Sequence, residues 1–120
     1  METIIHEENG KKIAQLAGDG ILMGKAQDAL DLMVDQELEG TRMIIIERKN
    51  IVSEFFDLST KIAGDILQKF VTYRLKLVIV GDFSDASESL SAFIYESNRG
   101  SEIFFCSSAE EAKRKLFSAK

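Results

Sequence analysis

Proline and tryptophan are absent from the 120 residues, histidine and cysteine occur once each, and basic residues are outnumbered by acidic ones, fifteen to twenty. Each scarcity excludes something. Without proline-rich, low-complexity or repeated stretches no linker can be drawn, so one α/β domain over residues 1–120 is expected. Cys106 has no partner for an intramolecular bridge, and no basic apolar leader precedes the first strand-like run; both favour a reducing cytoplasm. The longest apolar runs, Met43 to Ile46 and Leu77 to Val80, fall far short of the roughly 20 residues of a membrane span, so no membrane partner is expected. Net charge is −5 with Lys and Arg scattered, which argues against nucleic acid, whose phosphates need clustered cations. The one dense basic patch, Lys113-Arg114-Lys115, falls where a last helical turn is predicted and would complement the helix dipole there.

Signatures of catalysis are missing too. There is no glycine-rich phosphate loop, no G-x-S-x-G elbow, no H-E-x-x-H and no paired cysteines, so no catalytic residue, metal or cofactor is assigned. His6 lies on a predicted edge strand without a metal-ligand set around it. Cys106 ends an apolar strand and reads as a buried, inert thiol.

What is present is an alternation of strands and helices. Thr3 to Glu7 and Lys12 to Ala17 are β-like runs joined by Glu8-Asn9-Gly10-Lys11, where Asn-Gly suits the positive φ of a type I′ turn. Gly18-Asp19-Gly20 reads as a loop. From Ala26, the residues Ala26, Leu30, Met33, Val34 and Leu38 form one predicted helical face, ended by Gly40. Met43 to Ile46 and Leu77 to Val80 are apolar without alternation, as in parallel strands covered on both faces. Between them Ile62, Ala63, Ile66, Leu67, Phe70 and Val71 repeat at helical spacing. Asp85 with Glu88 and Ser108 with Glu111 fit the capping box, which places two further helices around a last strand, Ile103 to Cys106. The third helix turns Leu90, Phe93 and Ile94 inward and ends at Gly100; the fourth uses Ala109, Ala112 and Leu116. The predicted fold is a mixed, mainly parallel five-stranded sheet with the N-terminal hairpin at its edge and four helices.

In open α/β sheets ligands bind at the carboxyl ends of the strands. The candidates there are Glu47, Arg48, Lys49, Asn50, Glu54, Asp57, Ser59 and Thr60 on the long connection Arg48 to Ser59, and Asp82, Ser84 and Asp85 on the next. Asp57, Ser59, Thr60 and the Asp82 to Asp85 run are equally the residue types of caps and turns. Phe55 and Phe56 are either a lid over the core or, if exposed, a partner surface. Glu96 and Arg99 can pair on a helix surface, and Asn98 suits a helix end.

The runs Phe55-Phe56-Asp57-Leu58-Ser59-Thr60, Ala63 to Phe70, Ile79 to Phe83 and Phe93 to Gly100 resemble, over nearly the whole chain, an uncharacterised family of small bacterial proteins, a domain of unknown function. The element order resembles the STAS domain, the fold of anti-sigma-factor antagonists and of the cytoplasmic tails of sulfate transporters. In STAS antagonists an Asp-Ser-Ser-Gly run begins the second helix, and a serine in it is phosphorylated to switch partner binding. Asp57-Leu58-Ser59-Thr60 stands at the corresponding place, with Leu58 intervening and Lys61 where a small residue belongs. The resemblance implies phosphorylation at Ser59 or Thr60.

The expected function is a STAS-like regulatory or protein-interaction module without catalysis, contacting its partner through Arg48, Glu54, Phe55, Phe56, Asp57, Ser59, Thr60 and Asp82. Its rival is a small-molecule or anion-binding protein, or an enzyme, using Glu47, Arg48, Asp57, Thr60 and Asp82. A homo-oligomer formed through an exposed edge strand or helix is the third reading.

Overall fold

The computed structural model describes residues 1–38 and 40–118. Strands β1 (Glu2–Glu8) and β2 (Lys11–Ala17) form the hairpin; then come α1 (Ala26–Leu38), β3 (Met43–Glu47), α2 (Ile62–Thr72), β4 (Lys76–Val80), α3 (Glu88–Arg99), β5 (Ile103–Cys106) and α4 (Ala109–Ser118). The five strands lie in sequence order, β1-β2-β3-β4-β5; β1 is antiparallel to β2, and the other pairs are parallel. The hairpin turn works as its sequence demands, with Asn9 at φ 51° and Gly10 at φ 82°. Among the described residues no helix is long and apolar enough to cross a membrane.

Alternation along each strand sorts the core into two layers. Leu16, Ile44, Ile46, Leu77, Ile79, Ile103 and Phe105 face α1, α2 and α3; Ile13, Ile45, Val78, Val80, Phe104 and Cys106 face α4. The central strands are apolar throughout because both faces are covered. Three helices share one face since each crossover steps to the next strand in the same direction with the same hand. In α2 the buried residues are Ala63, Ile66, Leu67 and Phe70, as the spacing predicts, and α4 buries Ala112 and Leu116. Leu90 is buried in α3, with Phe93 and Ile94 packed against the same core.

Three local expectations are corrected. In α1 the buried stripe is Ala29, Leu32 and Met33, and Val34 is 57% exposed, so the helix is rotated from the face read off the sequence; the Leu38 side chain lies outside the described residues. Its start is set by the Asp28 carboxylate, which accepts from the amides of Gly24 (2.8 Å) and Lys25 (3.1 Å). The capping box at Asp85 and Glu88 does not form. Helix α3 starts later, with Ser87 Oγ accepting from Leu90 N at 3.1 Å, because Asp85 is drawn to Arg48 instead. Asn98 does not cap α3; its amide bridges the backbone of Phe105 in β5. At α4 the cap half of the expected box is present, Ser108 Oγ accepting from Glu111 N at 3.1 Å.

Candidate functional site

Beyond Glu47 the chain does not run irregularly to α2. It winds through three short 3-10 turns, Arg48–Asn50, Ser53–Phe56 and Leu58–Thr60, which fold the connection back over the carboxyl ends of β3 and β4.

Arg48 is the keystone of this end. Its guanidinium carbon lies 5.1 Å from the Phe56 ring centroid and 5.0 Å from that of Phe83, and Nη1 donates to the Asp82 carbonyl and, at 3.2 Å, to Asp85 Oδ1. Each cation–π contact at such a half-exposed site contributes about 0.5–1 kcal/mol. The contacts tie the exit of β3 to that of β4. Gly81 makes room for the passage: a Cβ there would meet Arg48 Cβ at 2.8 Å. The rings of Phe55, Phe56, Phe83, Phe105 and Phe93 continue as a row, with successive centroids 4.8, 5.9, 5.3 and 6.1 Å apart.

Asn50 holds the other wall. It is fully buried, and its Nδ2 donates to the carbonyls of Gly18 and Gly20, both at 2.9 Å. The Gly18-Asp19-Gly20 segment, a mere loop in the sequence, is thereby latched beside the 48–52 turn, where Met23 and Ile51 form a parallel bridge. Between the two segments and the strand ends opens a cleft of about 730 Å³. Ile21, Ile51, Val52, Phe56 and Val80 line it, with Glu47, Arg48, Lys49, Ser53 and Asp82 around them. A smaller hollow of about 360 Å³ lies beyond Phe56, where Asp57, Leu58 and Ser59 meet Ser87 and Ser89.

Of the residues singled out from the sequence, Glu47, Arg48, Lys49, Phe56 and Asp82 converge on the cleft. Glu54, Asp57, Ser59 and Thr60 stand apart from it and are exposed. Asp57 caps the last turn, accepting from Ser59 N (3.1 Å) and Ser59 Oγ (2.6 Å). Thr60 Oγ contacts the carbonyls of Glu54 and Asp57, 2.8 Å from each, and accepts from Ile62 N at 3.3 Å. Phe55 is 1% exposed and belongs to the core, so it is corrected from surface contact to lid. Phe83 and the Gly18 strap were missed; the only sequence signals for them were the aromatic after Gly81-Asp82 and the close pair of glycines.

Electrostatics follow from these bonds. The hydroxyl and amide of Ser59 hold the Asp57 carboxyl below its ordinary range, and the amide and hydroxyl of Ser84 do the same for Asp82. Burial, then the nearby Glu111 carboxyl, pushes the Cys106 thiol up to about 11.

A family model, a domain of unknown function designated DUF4180, matches residues 8–116. The chain belongs to the DUF4180 family. Its match runs from the end of β1 to Leu116 of α4, and so takes in the cleft, the Phe row and both layers of the core. No curated protein and no solved structure matches this DUF4180 domain.

Proposed function

We propose that this DUF4180 domain is a cytoplasmic, STAS-like regulatory module that binds a protein partner at the carboxyl ends of β3 and β4 and carries out no reaction of its own. The observation that supports it most is the make-up of the cleft. Its floor is apolar, its wall carries Ile21 with 53% of its surface exposed, and the charged groups beside it are already engaged, Glu47 with Lys49 at 3.6 Å, Arg48 with Asp85 at 3.2 Å and Asp82 with the Ser84 amide at 2.9 Å. Such a floor suits an apolar side chain offered by a partner, while a paired rim sets register. The small-molecule or anion reading is weaker, because Asp57 and Thr60 serve their own turn and do not join Glu47, Arg48 and Asp82.

Between the two hydroxyls, Ser59 fits a phosphoswitch better. It is exposed and donates to Asp57 alone, whereas Thr60 holds the turn together. A phosphate on Ser59 would break the bond to Asp57 and set two anions side by side, loosening the turn next to the cleft.

Affinity capture from a native lysate, run in parallel on variants, tests the placement. A partner held by wild type and by Val34→Asp, but lost by Ile21→Asp with unchanged thermal stability, is the expected result. A partner retained by Ile21→Asp and lost on substitution of Glu96 and Arg99 would put the surface on α3 and overturn the reading.

A further inference from the structure

The two edges of the sheet are finished differently. At β5, Asn98 accepts from Phe105 N at 2.8 Å and donates to Phe105 O at 3.3 Å, so the edge backbone there is covered from α3. No described residue does the same for β1. Because the hairpin turn has two residues, Glu8 and Lys11 exchange backbone hydrogen bonds; alternation then turns the backbone of Glu2, Ile4 and His6 toward β2 and that of Thr3, Ile5 and Glu7 outward. All seven residues of β1 pair in unbroken register, the chain has no proline, and Thr3 to Ile5 carry no charge. The bulge, proline and mid-strand charge that usually blunt an edge are all missing. Ile4 and Ile5 stand 39% and 42% exposed on opposite faces.

We infer that β1 pairs antiparallel with β1 of a second copy of this chain, about a twofold axis through Ile5. The edge is self-complementary, which is why a second copy is the occupant. Ile5 is both the midpoint of β1 and one of its outward-facing residues. On the axis it meets the Ile5 of the second copy, and Thr3 and Glu7 face each other on either side, giving about six backbone hydrogen bonds. Ile4 comes opposite His6 on the face that α4 covers. Glu2 comes opposite Glu8, a like-charge pair that costs stability by itself. The groove of about 1040 Å³ between β1 and α4 offsets part of this, since Lys113 and Arg114 line it together with Glu7, Glu8 and Glu110. The cations of α4 thus lie beside the carboxylates gathered at each end of the joined strands.

Sedimentation velocity on the whole chain is expected to give twice the 13.4 kDa of the monomer. Ile5→Lys sets two ammonium groups on the axis and should give a monomer with unchanged circular dichroism, its side chain being half-exposed already. Ile5→Cys places two thiols on directly opposite residues, about 5.5 Å apart between Cα atoms, within disulfide reach. Mild oxidation should therefore link it into a covalent dimer much faster than a Val34→Cys control, with Cys106 buried and unreactive in both. A wild-type monomer at every concentration, a dimer that Ile5→Lys leaves intact, or cross-linking of Ile5→Cys no faster than the control would each overturn the pairing.

Discussion

A methyl group at position 81 would stand 2.8 Å from Arg48 Cβ, closer than carbon atoms approach, and both atoms belong near the backbone, where little can give. Gly81→Ala is therefore expected to cost on the order of 1–3 kcal/mol, the scale of overpacking, read from urea denaturation. Repeating it in an Arg48→Gly background should shrink the cost; an equal loss in both backgrounds would locate the strain elsewhere. Asp57 and Asp82 make a second test at this scale. Both titrate lower in the folded chain than in the unfolded one, so their stabilisation is complete above the ordinary carboxylate range and is lost as pH falls through the lowered values. Melting temperature should fall on acidification through that window, and Asp57→Asn should flatten part of the fall. A melting curve whose acid limb is the same in wild type and in Asp57→Asn would detach the turn from the titration.

Helix α1 distinguishes two readings of one sequence. Leu32 is 7% exposed and Val34 57%, so Leu32→Ala should cost about 2–5 kcal/mol, while Val34→Ala should stay within about 0.5 kcal/mol. The reverse ranking would restore the face drawn through Val34. The helices with clean spacing, α2 and α4, were legible because each buries one narrow stripe against a sheet. Helix α1 was not, since its apolar residues, from Leu32 through Ala29, Met33, Ala26 and Leu30 to Val34, spread over more than half of its circumference and periodicity alone could not choose the buried part. The strands were legible from their unbroken apolar runs and the hairpin from Asn9-Gly10. What stayed hidden were bonds between elements: Asp85 reaching Arg48, Asn98 reaching Phe105, and Asn50 holding Gly18 and Gly20. The local patterns of Asp85 and Asn98 fit helix ends and that of Asn50 a strand-end site, and only tertiary placement gives each its actual partner. The cleft shares that fate, for Ile21 and Val52 come together through the Gly18 strap, which no local signal announces.

On the scale of the whole molecule the sheet separates two unequal cores. One is shared by three helices; the other depends on α4 alone, through Ala112 and Leu116. Leu116 is fully buried, and Leu116→Ala should cost about 2–5 kcal/mol and raise binding of an apolar dye to the exposed sheet face. A loss typical of a surface site, about 0.5 kcal/mol, would mean that α4 is not the cover it is drawn as.

Strand order that repeats chain order has a consequence during synthesis. Each new parallel strand finds its neighbour already made, one helix upstream, so the sheet can grow by accretion as the polypeptide leaves the ribosome, with little need for distant segments to meet. The layer of α1, α2 and α3 is laid down along the way. The opposite face, with Ile13, Ile45, Val78 and Phe104, stays bare until α4 emerges and folds across four strands. During that interval the nascent chain's bare apolar face is open to chaperone capture or clumping.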